Sequence, residues 1–194
     1  MATNFDEPAS VVKPPSKLAH VVLRTNNLQN MVRFYADFLG AHIGYENEMI
    51  AFLSYDDEHH RIALIQAPGT QAKARGTCGL EHIAFAFDSL SDLLVSYRQR
   101  KQKNILPLWS VNHGPTTSIY YRDPDGNEIE TQVDNFKDAH DATEFMKTKA
   151  FAENPIGVDF DPEDFITRLQ NGEKEEALMK RPEIGPRGLP NHML

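Results

Sequence analysis

Residues 17–24, KLAHVVLR, and residues 79–87, GLEHIAFAF, decide the fold because they begin two copies of one pattern. Each stretch is typical of a short apolar strand, and each is followed by apolar residues at helical spacing. Three further short strand patterns follow each helix, such as IAFLSY and RIALIQ in the first copy and NILPLW, TTSIYYR and NEIETQV in the second. The order strand, helix, strand, strand, strand therefore occurs twice, which predicts an α+β chain of two tandem βαβββ modules.

The repeat can be checked residue by residue. A shift of 62 positions superimposes His20 on His82 and Tyr35 on Tyr97 without a gap. One module is too small to cover both faces of its own sheet, so we expect the two modules to pair and to enclose a cavity between them. That cavity is the expected functional site.

The segments of the chain follow from this pattern. The stretch DPEDFITRLQNG, which comes after the second module, predicts one more helix because Asp161 can act as its N-cap, Pro162 occupies its first turn and Gly172 closes it. We divide the chain into an N-terminal tail (1–16), a first module (17–78), a second module (79–133) that completes one domain over 17–133, and a C-terminal extension (134–194).

Composition excludes several classes of function. The 28 acidic and 20 basic side chains give a net charge of -8, and no block of lysine and arginine stands out, so nucleic acid is not an expected partner. No segment approaches the ~20 apolar residues that span a bilayer, and the first residues carry no secretory or transit signal, so we expect a cytoplasmic location and no membrane partner. Cys78 is the single cysteine, which excludes an intramolecular disulfide and a multi-thiolate metal site.

Metal ligands in this chain must therefore be histidine and carboxylate side chains. His20 and His82 hold matched positions in the first strands of the two modules, so pseudo-symmetry predicts that both rings point into the shared cavity. Glu130 lies in the last strand of the second module, after a DPDG turn, and supplies a carboxylate beside them. The predicted metal site consists of His20, His82 and Glu130.

The first module offers no fourth ligand. Aligning RIALIQ with EIETQV places Ala63 opposite Glu130, and alanine cannot bind a metal. Two histidines and one carboxylate leave one side of the metal open, as in iron sites that activate dioxygen. This arrangement predicts Fe(II) as the metal. Mn(II) is the alternative because it accepts the same nitrogen and oxygen ligands.

The motifs HVVL followed by a helix, HIAF, and DPDGNEIE together resemble the type I extradiol ring-cleaving dioxygenases of the vicinal oxygen chelate superfamily, which includes glyoxalases and bleomycin resistance proteins. The resemblance covers residues 17–133. It implies that His20, His82 and Glu130 are the metal ligands. It also implies that a catechol-like diol and O2 are the substrates, and that the aromatic ring is opened next to the diol in aromatic compound catabolism.

Three further positions are assigned by the resemblance. His60, in EHHRIAL, falls on the acid-base histidine of the family, and Tyr120 falls on its active-site tyrosine. His113, in NHGP, resembles another pocket histidine, but it stands closer to Glu130 than is usual in the family. Adjacent side chains of a strand face opposite sides, so strand geometry alone does not decide whether His59 or His60, or whether Tyr120 or Tyr121, points into the cavity.

Two other functions are compatible with the sequence. One is a different metalloenzyme on the same scaffold, such as a glyoxalase-like isomerase, an epimerase or a thiol transferase, although these generally use four protein ligands and Ala63 removes the fourth. The other is a metal-free protein that binds an aromatic ligand. We expect a homodimer, since that is the commonest assembly among oligomeric proteins.

Overall fold

The computed structural model describes residues 6, 8, 10–74 and 76–190. Parts of the predicted N-terminal tail and the end of the C-terminal extension lie outside the described residues. The first module contains β1 (Val21–Thr25), α1 (Leu28–Leu39), β2 (His42–Glu46), β3 (Ile50–Ser54) and β4 (Ile62–Gln66). The second contains β5 (His82–Ala86), α2 (Leu90–Gln102), β6 (Trp109–Asn112), β7 (Thr116–Arg122) and β8 (Glu128–Asp134). The predicted α+β order of two βαβββ modules is confirmed.

A helical extension follows the second module, as the sequence predicts. Asp161 caps the helix there, since its side chain accepts a hydrogen bond from the backbone N–H of Glu163 and Pro162 occupies the first turn. The short strand of the extension joins the edge of the second sheet beside β6. Its elements are α3 (Ala139–Met146), α4 (Lys149–Glu153), β9 (Val158–Asp159), α5 (Pro162–Gln170) and α6 (Glu175–Met179).

The two sheets have the same topology. Sheet one has the order β1-β4-β3-β2 and sheet two the order β5-β8-β7-β6-β9, and in both the first strand of the module is an edge strand that runs parallel to the last. Val22 pairs with Ala63 in sheet one, and Ala84 pairs with Glu130 in sheet two. Equivalent positions of the two modules therefore stand at equivalent places in the two sheets.

One hydrophobic core joins the modules through their helices. Helix α1 ends at Gly40, whose φ of 63° is the left-handed conformation that suits glycine, and it packs against β3 and β4. The ring of Phe38 in α1 lies 5.1 Å from that of Tyr121 in β7, and the guanidinium of Arg100 in α2 lies 4.0 Å from the centre of the Phe38 ring. Helix α1 thus contacts both sheets, and α2 contacts α1 through Arg100.

Each sheet consequently has an inner face toward this core and an open face away from it. In β1 the inner residue Leu23 is buried while its neighbour Val22 is 58% exposed. In β5 Ile83 is buried while Ala84 is exposed. The open face of sheet one carries Val22, Phe52 and Ala63, and the open face of sheet two carries Ala84, Tyr120 and Glu130.

Two local predictions are wrong. The stretch NILPLW was expected to be a strand, but β6 begins only at Trp109, and Asn104 adopts a left-handed φ of 59° just after α2. His59 and His60 were expected in a strand, but they lie in the loop before β4, which begins at Ile62. None of the helices in the described ranges is long and apolar enough to cross a membrane.

Candidate metal centre

The open face of sheet two brings together one predicted histidine ligand and the predicted carboxylate. Nε2 of His82 lies 3.0 Å from Oε2 of Glu130, because β5 and β8 are adjacent parallel strands. The small side chain of Ala84 pairs with Glu130 and leaves room beside the carboxylate. The Glu130 side chain is 6% exposed and that of His82 is 33% exposed. An imidazole and a buried carboxylate therefore converge on one accessible point.

The electrostatics of this pair favour a cation. Burial opposes ionisation of Glu130, but hydrogen bonds from His82 and Ser118 outweigh it and hold the pKa of the carboxyl below its usual value. The hydrogen bond to Glu130 in turn raises the pKa of His82, against the opposing effect of burial. A mostly buried negative charge needs a positive partner, and either a protonated His82 or a bound metal provides one.

A second pair of predicted residues lies on the same face. Tyr120 in β7 pairs directly with Glu130 in β8, and its hydroxyl lies 3.0 Å from Nε2 of His113. Nδ1 of His113 lies 2.6 Å from the carbonyl oxygen of Ile156. Since a carbonyl can only accept, Nδ1 carries the proton, and Nε2 accepts a hydrogen bond from the Tyr120 hydroxyl. Burial lowers the pKa of His113, which keeps this ring neutral.

An aromatic wall continues the face beyond Tyr120. The indole of Trp109 stacks on the Tyr120 ring with 5.1 Å between centroids and an interplanar angle of 26°. The Trp109 Nε1–H donates to Oδ1 of Asp159 at 2.6 Å, and Arg187 forms an ion pair with the same carboxylate at 2.7 Å. The extension therefore fixes this wall. Sequence reasoning did not identify Asp159, Arg187 or Ile156 because each acts across a long stretch of chain and belongs to no local motif.

The open face of sheet one holds the other histidines. The rings of His20 and His60 lie 4.3 Å apart between centroids, and His60 also stacks on Phe52 at 4.7 Å. Nδ1 of His60 lies 2.6 Å from Nδ1 of its neighbour His59, so one of these two nitrogens donates and the other accepts. The partly buried His60 thus contacts the ring of His20, and it does so from a loop.

Desolvation and a neighbouring arginine influence the two histidines His20 and His60. Desolvation, followed by the influence of His20 and His59, lowers the pKa of His60, which favours a neutral ring able to accept a proton. Arg61 donates from Nη1 to the carbonyl oxygens of Leu18 and Ala19, both at 2.9 Å, and so fixes the backbone directly before His20. Arg61 is a positioning residue that the sequence did not reveal.

Ala63 occupies the place in sheet one that Glu130 occupies in sheet two. It lies between Val22 in β1 and Phe52 in β3, just as Glu130 lies between Ala84 and Tyr120. This register agrees with the alignment made from the sequence. Sheet one therefore has an alanine where sheet two has a carboxylate.

The three predicted ligands are divided between the two open faces. Across the described part of the chain, no group of three or more His, Cys, Asp or Glu side chains is placed to hold a metal ion. His82 and Glu130 meet on sheet two, whereas His20 lies with His60 on sheet one. The physical reason is that the modules of one chain pack through their inner faces and helices, so the expected cavity does not form around all three ligands. The nitrogen and oxygen donors present suit Fe(II) or Mn(II), but one chain supplies only two of them at one point.

Comparisons with a family model, with related sequences and with solved structures point to the same superfamily. Residues 17–131 match the model of the Glyoxalase/Bleomycin resistance protein/Dioxygenase superfamily. The chain is 44% identical to biphenyl-2,3-diol 1,2-dioxygenase 3 of Rhodococcus globerulus, over 85% of this chain and 88% of that protein. It is 45% identical to biphenyl-2,3-diol 1,2-dioxygenase 2 of the same organism, over 75% and 77% of the two chains. A glyoxylase/bleomycin resistance protein/dioxygenase domain from Frankia sp. EAN1pec shares the fold, with a TM-score of 0.53 and 19% identity over 66% of this chain and 98% of that domain.

Proposed function

Since the chain belongs to the Glyoxalase/Bleomycin resistance protein/Dioxygenase superfamily, we propose that it is a metal-dependent extradiol dioxygenase that opens the ring of a catechol-type diol with O2. The observation that carries the proposal is the 44% identity to a biphenyl-2,3-diol dioxygenase over 88% of that relative's length. The paired His82 and Glu130, with Tyr120 beside them, support the same reading.

Iron is the metal we propose, with manganese as the alternative, and His20, His82 and Glu130 are its proposed ligands. Two imidazoles and one carboxylate are the donor set of ferrous sites that react with dioxygen. When bound, the metal would withdraw charge from a vicinal diol and activate dioxygen on its open side. Ala63 favours this function over a glyoxalase-like one. Glyoxalase-like enzymes generally use four protein ligands, and sheet one has alanine at the position equivalent to Glu130.

His60 is the proposed acid-base residue. Its lowered pKa leaves an imidazole that can accept a proton from a substrate hydroxyl near neutral pH and return it later. The contact with His59 through Nδ1 leaves Nε2 of His60 for the substrate. Phe52 stacks on the ring and fixes its orientation.

Tyr120 acts in this proposal by hydrogen bonding rather than by proton transfer. Burial, followed by the charge of Glu130, raises the pKa of its phenol far above neutrality, so the hydroxyl keeps its proton. His113 accepts from that hydroxyl and leaves the Tyr120 oxygen free to accept a hydrogen bond from a substrate hydroxyl. Trp109, stacked on Tyr120, offers an aromatic surface for the substrate ring.

Anaerobic loading tests the function directly. The protein would be loaded with Fe(II) or Mn(II) without oxygen and then given a panel of diols that includes catechol and biphenyl-2,3-diol. We expect O2 uptake together with a new yellow ring-opened product. Turnover of the methylglyoxal–glutathione adduct instead would support the isomerase alternative. Diol binding that no metal converts into O2 uptake would support the metal-free alternative, and either result would overturn the dioxygenase proposal.

A further inference from the structure

We infer that the C-terminal extension sets the direction of the hydrogen bond between Tyr120 and His113, and that Arg181 is the positioning residue that holds this arrangement. The inference rests on the proposed function, in which the Tyr120 oxygen accepts a hydrogen bond from a substrate hydroxyl. That oxygen is an acceptor because the extension dictates which ring nitrogen of His113 carries the proton. Arg181 acts through His113 and is assigned no contact with the substrate.

The ring of His113 stands between a carbonyl and a hydroxyl. Its Nδ1 lies 2.6 Å from the carbonyl oxygen of Ile156, and its Nε2 lies 3.0 Å from the hydroxyl of Tyr120. A neutral imidazole has one N–H, and the carbonyl requires it on Nδ1. Without that carbonyl the proton would also occupy Nε2, which would then donate to Tyr120. The hydroxyl hydrogen of Tyr120 would turn toward the substrate, and the acceptor would become a donor.

A tight turn over residues 154–157 presents this carbonyl to the ring. The side chain of Asn154, which is 3% exposed, donates from Nδ2 to the carbonyl of Gly157 at 3.0 Å and accepts from its N–H at 2.8 Å. Gly157 has a φ of 109°, and a Cβ there would lie 2.3 Å from the carbonyl oxygen of Asn112 and 2.8 Å from Cα of His113. The turn therefore packs directly on the backbone beside the ring, and only glycine allows this approach.

Arg181 joins this turn to the loop between β6 and β7 that carries His113. Its Nη1 donates to the carbonyl oxygens of His113 at 3.1 Å and Asn154 at 2.7 Å, and its Nη2 donates to that of Ala150 at 3.2 Å. The guanidinium also lies 5.1 Å from the centre of the Phe145 ring. Because a guanidinium is planar and its donors have a fixed geometry, one side chain sets the distance between the turn and the His113 backbone.

The two ends of this relay belong to different parts of the chain. His113 and Tyr120 lie in the second module, inside the region 17–131 that matches the family model. Ile156 and Arg181 lie in the extension, beyond that region. The two modules alone therefore leave Nδ1 of His113 without its carbonyl partner. The extension thus contributes to the site by fixing one proton on one ring.

Nitrogen NMR of the imidazole rings tests the inference without metal or substrate. The metal-free full-length chain would be prepared with isotope-labelled histidine, and the signals of His113 would be identified by their loss in His113→Gln. We expect Nδ1 to give the pyrrole-type signal of a protonated nitrogen and Nε2 the pyridine-type signal of an unprotonated one. A wild-type His113 that is protonated on Nε2 would overturn the inference.

Arg181→Met keeps most of the length of the side chain and removes its three contacts with backbone carbonyls. We expect signals from both tautomers of His113 and a loss of about tenfold or less in kcat/KM for the diol, which is the value of one hydrogen bond. Arg168→Met is the matched control, since it breaks an ion pair with Glu173 in the same extension, and it should keep the wild-type spectrum and turnover. A folded Arg181→Met, judged by circular dichroism, that shows only the Nδ1-protonated ring would contradict the role of Arg181.

A double variant separates positioning from general stability. If Arg181 acts through the Tyr120 hydroxyl, its removal costs nothing more once that hydroxyl is gone. Arg181→Met combined with Tyr120→Phe should therefore have the same kcat/KM as Tyr120→Phe alone. Losses that multiply would show that Arg181 acts elsewhere and would overturn the inference. Failure of the proposed function is distinguishable, because a chain that opens no diol still reports the tautomer of His113 by NMR.

A glycine variant tests the turn independently of Arg181. Gly157→Ala places a Cβ against Asn112 and His113, so we expect it to displace the Ile156 carbonyl and to give the same mixture of tautomers. Gly172→Ala is the matched control, because Gly172 also has a positive φ, 89°, while nothing lies within 4 Å of its Cβ position. It should keep the wild-type spectrum. A folded Gly157→Ala that retains only the Nδ1-protonated ring would show that the turn does not select the tautomer.

Discussion

Ala63 in sheet one and Glu130 in sheet two occupy the same place in two sheets of the same topology, and so do Phe52 and Tyr120. On the face of sheet one His60 stacks on Phe52 and contacts His20, whereas the face of sheet two holds the His82–Glu130 pair and the phenol of Tyr120. The backbone register therefore decides where a side chain stands, and the residue at that place decides which part of the chemistry its face supplies. Four substitutions probe this division between the faces.

Removing the carboxylate of sheet two should have the largest effect. Glu130→Gln keeps the shape of the side chain but loses the charge that faces His82. Loss of an outer-shell partner alone costs about 10- to 100-fold in metal affinity, so we expect loss of a ligand to cost more than about a hundredfold and to reduce turnover to background. Metal titration followed by elemental analysis measures this. Asp134→Asn, an exposed acid at the end of the same strand, is the control, and equal metal binding by both variants would exclude Glu130 as a ligand.

Removing the proposed base of sheet one should lower turnover while leaving the metal in place. For His60→Ala we expect kcat to fall by about 10²- to 10³-fold, within the range of general acid-base catalysis. Its iron content should remain that of the wild type because His60 is assigned no bond to the metal. His140→Ala, an exposed histidine of α3, controls for the loss of an imidazole. If iron content and turnover fall together, His60 supports the metal and does not transfer a proton.

A carboxylate added to sheet one would make the two faces alike. Ala63→Glu places an acid where sheet two has Glu130, and we expect it to occupy the open side of the metal. Turnover should fall by about tenfold or more, while metal content stays equal to or above that of the wild type. Ala63→Leu adds similar bulk without a donor atom. An equal loss of turnover in both variants would show that crowding, and not ligation, is the cause.

The repeat explains how much of this arrangement could be predicted from the sequence. The shift that superimposes His20 on His82 predicted the two βαβββ modules. The alignment of Ala63 with Glu130 agrees with the observed register. The His82–Glu130 pair could also be predicted, because both residues belong to adjacent strands of one module. Local patterns of this kind carry information about one module at a time.

The packing of one module against the other could not be predicted from local sequence patterns. Whether open faces or inner faces meet within a chain depends on contacts such as that of Phe38 with Tyr121, and no local pattern specifies them. The position of His60 in a loop was missed for a related reason, since RIALIQ is a strand pattern that gives no sign of where β4 begins. The contact of Ile156 with His113 spans 43 residues and has no motif.

The smallest effect should come from the hydroxyl of Tyr120. Tyr120→Phe keeps the ring that stacks on Trp109 and removes only the group that contacts His113. One hydrogen bond to the substrate contributes about 0.5–1.5 kcal/mol net, so we expect a loss of about tenfold or less in kcat/KM with unchanged metal content. Tyr121→Phe, on the inner face of the same strand, is the matched control and should keep wild-type turnover. A loss of metal in Tyr120→Phe would contradict a role in substrate binding, and it would mean that sheet two needs the phenol to hold Glu130 in place.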